Sequence, residues 1–111
     1  MSAPPATPSL LIQTTYQLHL DDVEAFKDIT ERMAADARQR VGNTFLLAAQ
    51  DLSNPALFHL TEGWQNQQAI EEHLASDRFQ RVLAEAQQLR IESRSATVFE
   101  VGRSYALGLP T

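Results

Sequence analysis

Two aspartates, Asp21 and Asp22, separate two hydrophobic patterns. Before them Leu10, Ile12, Thr14, Tyr16 and Leu18 alternate with Leu11, Gln13, Thr15, Gln17 and His19, up to Leu20, the period of two that puts one set on each face of a strand. After them Val23, Phe26, Ile29 or Thr30, Met33, Ala37 and Val41 recur every three or four residues, the stripe of an amphipathic helix. Asp21 and Glu24 have the spacing of a capping pair. Acids at the start and Arg38 and Arg40 near the end suit the helix dipole, and Gly42 offers a left-handed stop. A strand followed directly by such a helix has to bury the helix stripe on its own sheet, which restricts the chain to mixed architectures.

The later segments fill in the order. Residues 45–50 read as a strand, 51–55 as a turn (Asp-Leu-Ser-Asn-Pro), and 56–64 as the second arm of an antiparallel hairpin. Asn66 can cap a short helix over 67–75. Ser76 and Asp77 restart a longer one through Arg90, with Phe79, Val82, Leu83, Ala86 and Leu89 inward. Residues 93–101 close as a strand. Strand, helix, strand, strand, helix, strand predicts an α+β fold: a ferredoxin-like split βαβ sandwich with one four-stranded antiparallel sheet. The domain is expected over 10–102, between a flexible proline-rich arm (1–9, with Pro4, Pro5 and Pro8) and a tail (103–111) carrying Tyr105, Leu107 and Leu109.

Two helices cover one sheet face. Yet Phe45 to Ala49 is apolar at successive positions, and Val98, Phe99 and Val101 point both ways, so the second face also calls for burial. A homodimer is the simplest cover. With 111 residues the chain has one core and no room for a second domain. A net charge of −5 without a basic cluster argues against nucleic acid as a partner. The absence of cysteine excludes disulfides, thiolate metal sites and cysteine nucleophiles, and His19, His59 and His73 are too scattered for a zinc site, so no metal is expected. No apolar run is long enough for a membrane span, no secretion signal is visible at the start, and a cytoplasmic location is expected. No glycine-rich turn follows a strand to hold a nucleotide.

The stretch Glu62-Gly63-Trp64, with Ala69, His73-Leu74, Ser76 and Phe79 after it, resembles the antibiotic biosynthesis monooxygenase (ABM) superfamily of dimeric α+β barrels over residues 42–102, and more weakly back to Leu10. The resemblance implies a cavity between sheet and helices and, as in many members, catalysis without metal or organic cofactor. Members include quinol and anthrone-type monooxygenases, haem-degrading enzymes, isomerases of small dicarbonyl compounds and chains with no known reaction. The polyketide-pigment oxygenases carry an asparagine four before the tryptophan, a tyrosine six after and an arginine twenty after; here those positions are Leu60, Ile70 and Ala84. The haem-degrading branch has its tryptophan at the position of His73 and its haem ligand at that of Leu83. The pattern that matches is the quinol monooxygenase-like one, Trp64 with a histidine nine residues later.

That resemblance assigns roles. His73, near Ala69, Ile70 and Leu74, is the candidate general base, kept neutral by an apolar wall. Trp64 can floor an aromatic pocket and give its N–H to a substrate oxygen that becomes negative. Thr14 and Tyr16 share the strand face towards the helices and, with Phe58 and Phe79, are candidate substrate-binding residues, each with a plain core role as the competing explanation. Glu62 shares the Trp64 face. A carboxylate at a strand end ordinarily faces solvent or pairs with Lys or Arg, and it reads as structural. His19 and His59 fall on the opposite faces. The expected reaction is oxidation of a small aromatic quinol or anthrone by dioxygen without cofactor. A small-molecule isomerase using the same base and a non-catalytic dimeric binding protein are the alternatives.

Overall fold

The structure, a computed structural model, describes residues 7–110, so most of the expected arm lies outside the described residues. Its elements are β1 (Leu10–Leu18), a short 3-10 turn (Leu20–Asp22), α1 (Val23–Arg38), β2 (Asn43–Gln50), β3 (Leu57–Trp64), α2 (Gln67–Ala75), α3 (Asp77–Ala86) and β4 (Ile91–Glu100). The strands form one sheet in the order β2-β3-β1-β4 with every pair antiparallel, the ferredoxin-like topology expected from the sequence.

The alternation in β1 decides the two faces. Leu10, Ile12, Thr14 and Tyr16 pair with Trp64, Glu62, Leu60 and Phe58 of β3, and this set faces the helices. Three packed clusters lie beneath them. Leu18, Val23, Phe26, Ala56, Phe58 and Leu60 form the largest. Ala34, Ala37 and Leu46 join α1 to β2, and Trp64, Ala69 and Ile70 join β3 to α2, with Leu10 and Ile12 against them. Residues 92–100 of β4 are exposed, so the helices leave that edge uncovered.

The start of α1 differs from the expected capping pair. His19 Nδ1 accepts from the Asp21 N–H at 3.1 Å and opens the 3-10 turn, while the Asp22 carboxylate accepts from the Arg90 backbone N–H at 2.8 Å and its Nε at 3.1 Å. Those bonds hold Asp22 well below the usual carboxylate range. Asp22 thus ties the helix start to the entrance of β4. The helix also ends at Arg38, and Val41 is exposed in the following turn. Gly42 follows with φ +93°, the left-handed backbone that reverses the chain into β2. A Cβ there would meet the Ala69 Cβ at 2.5 Å, so the absent side chain also lets α2 close on the turn. At the other end α3 stops at Ala86, with Leu89 packed on the core outside the helix.

Candidate active site

Local structure fixes each ring of the site separately. Trp64 ends β3 and is fully buried; its carbonyl accepts from the Ser9 N–H at 3.0 Å, and the next N–H, of Gln65, donates to Gly42 at 2.8 Å. The strand end is therefore held from both sides. Asn66 then caps α2, its Oδ1 accepting from the Ala69 N–H at 2.8 Å, which starts the helix with the phase that turns Ala69, Ile70 and His73 inward. Ser76 makes the corner between α2 and α3: its hydroxyl donates to the His73 carbonyl at 2.7 Å and accepts from the Phe79 N–H at 3.2 Å.

These devices bring three rings together. The His73 ring lies 5.1 Å from the indole of Trp64 and 4.9 Å from the ring of Phe79, centroid to centroid. His73 is 2% exposed, and its Nδ1 is buried with no hydrogen-bond partner among the described residues. Burial pushes the imidazole below its ordinary value; the Arg40 guanidinium adds to that and Asp36 opposes it. A neutral ring with an unsatisfied nitrogen is what a proton acceptor requires.

The indole N–H is committed elsewhere than expected. It donates to Glu62 Oε1 at 3.2 Å, two residues back on the same strand face. Glu62 is partly buried, and desolvation raises its carboxyl above the ordinary range despite the indole bond. The carboxylate expected to face solvent or pair with Lys or Arg thus takes its hydrogen bond from the indole. The sequence signal for this contact is the two-residue spacing of Glu62 and Trp64, which puts both on one strand face.

An apolar cavity of about 50 Å³ lies between sheet and helices, lined by Tyr16, Phe26, Met33, Leu60, Phe79 and Leu83 among others; of the three rings only Phe79 borders it, and Trp64 and His73 are not part of its lining. Burial also raises the Tyr16 hydroxyl, against the pull of the neighbouring Arg94 guanidinium. Thr14 is buried on the same face but does not line the cavity. Phe58 packs against Phe26 inside the main core, centroids 5.0 Å apart with the rings tilted by 59°, and does not line the cavity. His59 pairs with Asp51 at 2.9 Å on the opposite face of the sheet. No group of three or more His, Asp or Glu among the described residues is placed to hold a metal ion, and no helix among them is long and apolar enough to cross a membrane.

Residues 9–85 match the family described as antibiotic biosynthesis monooxygenase. The chain belongs to the ABM superfamily. A Deinococcus radiodurans protein assigned to the ABM monooxygenases shares 23% identity at a TM-score of 0.83, over 89% of this chain and 98% of that one. A Nitrosomonas europaea protein with the same assignment shares 19% identity at a TM-score of 0.78, over 86% and 99%. A Bacteroides thetaiotaomicron protein described as a possible oxidoreductase of unknown function gives 16%, 0.78, 86% and 100%. At these identities the likeness carries the fold. No protein of curated function matches the chain in sequence.

Proposed function

We propose that this ABM protein is a cofactor-independent monooxygenase that oxidises a small aromatic quinol or anthrone with dioxygen, acting as a homodimer with His73 as its base. The observation that carries the reading is the buried imidazole, unpaired at Nδ1 and packed between the rings of Trp64 and Phe79. A flat, electron-rich substrate slotted against these rings loses a proton to His73, and its anion is electron-rich enough to reduce dioxygen directly. The protein contributes orientation, exclusion of water and a base of suitable strength. Family membership and the spacing of Trp64 and His73 support the same class.

The present cavity of about 50 Å³ is far below the ~300 Å³ of an ordinary small-molecule site. Substrate entry therefore requires Phe79 and α3 to move outwards. Purified protein is expected to consume oxygen with a quinol or anthrone in air, and His73→Ala to lower kcat by ~10²-fold or more. Turnover that persists without oxygen would identify an isomerase. Aromatic binding without turnover would identify a binding protein.

A further inference from the structure

Helices α1 and α3 turn facing stripes to each other on the outer side of the apolar cavity. On α1, Arg32 and Asp36 stand one turn apart; on α3, Arg78, Val82 and Glu85 follow at spacings of four and three, with Arg81 beside Val82. These six side chains line a trough of about 360 Å³, the size of an ordinary small-molecule site, whereas the cavity beneath holds about 50 Å³. Among the described residues the two linings share Val82 alone. That side chain is half-buried, so one valine stands between the trough and the cavity. The charge of the trough also sets it apart. Three of the nine cationic side chains line it against two acids, in a chain whose net charge is −5. Asp28 holds the Nε of Arg32 at 3.1 Å, which leaves the two terminal nitrogens of that guanidinium to donate to the two oxygens of Glu85, each at 2.7 Å. A ligand carboxylate fits the same fork. Both partners are nearly half exposed, so the pair contributes little and an incoming carboxylate replaces Glu85 at small cost. Arg78 reaches Asp36 only at 3.6 Å and keeps most of its donors for a ligand.

We propose that this trough is where the substrate docks and that it selects a carboxylated aromatic: the carboxylate displaces Glu85 from Arg32 and is held among Arg32, Arg78 and Arg81, while the ring pushes Val82 aside and enters the cavity. That the ligand is a substrate rests on the oxygenase reading; that the trough binds an aromatic acid does not. Phe79 borders the cavity together with Val82 and packs on the His73 ring at 4.9 Å, so a ring that passes Val82 arrives on the Phe79 side of the base. Displacing Glu85 also undoes the bond that clamps α3 to α1. The charge of the ligand thus releases the helix that its ring has to move, and an uncharged aromatic of the same shape has to enter against the closed clamp.

Calorimetric titration of the full chain with 2-naphthoate and with its uncharged counterpart 2-naphthamide tests this. The acid is expected to bind ~10-fold or more tightly than the amide at low salt, with a smaller margin at high salt. Arg78→Gln with Arg81→Gln should bring the acid down towards the amide. Glu85→Gln should act the other way, tightening the acid by ~3-fold or more and leaving the amide within about twofold, because the terminal nitrogens of Arg32 lose their competitor. That gain cannot come from a damaged fold. Glu31→Gln, which removes the same charge from α1 outside the trough, should leave both ligands within about twofold. Equal affinity for acid and amide in the wild type, or a Glu85→Gln variant that binds the acid no more tightly, would overturn the trough as the docking site. Oxygen uptake separates this from the oxygenase reading. A carboxylated quinol, 2,5-dihydroxybenzoate, should exceed unsubstituted hydroquinone in kcat/KM by ~10-fold or more, and equal values would overturn the selection. A protein that binds 2-naphthoate as expected but consumes no oxygen with any quinol overturns the oxygenase reading and leaves the trough in place.

Discussion

Burial moves the two ionisable groups flanking the indole in opposite directions, and this has a consequence for stability as well as chemistry. Glu62 is raised in the folded protein, so the fold holds its proton over a range in which the unfolded chain has released it. That contribution is complete below the ordinary carboxylate value and is lost as pH rises through the folded value. His73 is lowered, so the fold favours the neutral ring, and stability is lost as pH falls from the ordinary imidazole value through the folded one. Glu62→Gln, which cannot ionise, should gain melting temperature relative to the wild type at pH 8 and gain less at pH 4. Thermal unfolding at the two pH values checks this, with ~1 kcal/mol appearing as about 4–8 °C for a domain of this size. An equal difference at both pH values would mean that Glu62 titrates as an ordinary surface acid.

The elements differ in how firmly they are fixed. Helix α1 buries Val23, Phe26, Ile29, Thr30, Ala34 and Ala37, whereas α3 fully buries Ala86 alone. Beyond the apolar side chains that the two helices turn to the cavity, a polar clamp joins α3 to α1: Arg32 donates to both carboxylate oxygens of Glu85 at 2.7 Å and also to Asp28 at 3.1 Å. These groups are exposed, so the clamp is open to salt screening. Helix α3 is therefore expected to open more readily than α1. Hydrogen exchange should show residues 77–86 opening before 23–38, with Arg32→Ala or added salt accelerating α3 selectively. Equal protection of the two helices would contradict this. The same contrast shows how far the sequence was legible. The order of elements and the inward phase of His73 and Phe79 follow from local periods and from two capping residues, Asn66 and Ser76. The use of Asp22 was not legible, because its partner Arg90 lies 68 residues away. Nor was the burial of Glu62, whose two-residue spacing from Trp64 fixes a shared face and leaves open what covers it. For Phe58 the strand pattern gives its face but not its neighbours, and the contact with Phe26 of α1 in the core is the part that the pattern leaves open.

At the scale of the whole molecule, the face of the sheet away from the helices is graded in polarity. One row across it reads Phe45, Gly63, Leu11 and Phe99; the next reads Leu47, Thr61, Gln13 and Thr97; the third reads Ala49, His59, Thr15 and Ser95. The apolar row lies at the end of the sheet where β3 finishes in Trp64. Leu47 is 62% exposed and Phe99 48%, and an uncovered sheet face carrying such groups is costly in water. A second copy presenting the same graded face can cover it with two-fold symmetry, and a stable pair of this kind needs roughly 1,200 Å² or more of total buried area. The tail adds Tyr105, Leu107 and Leu109, each about three-quarters exposed, with the Arg103 guanidinium 4.9 Å over the Tyr105 ring. Light scattering should give twice the 12.4 kDa of one chain. Leu47→Glu with Phe99→Glu should give single chains, because covering the face would then strip water from carboxylates that have no cation to pair with. Neither residue lies on the helical face, so a dimer that serves only to cover the sheet should leave the pH dependence of the emission of Trp64, the sole tryptophan, unchanged after dissociation. A shifted titration would mean that the partner copy helps to exclude water from each site. A wild type that scatters as one chain would remove the dimer from the account and leave the ring trio to stand alone.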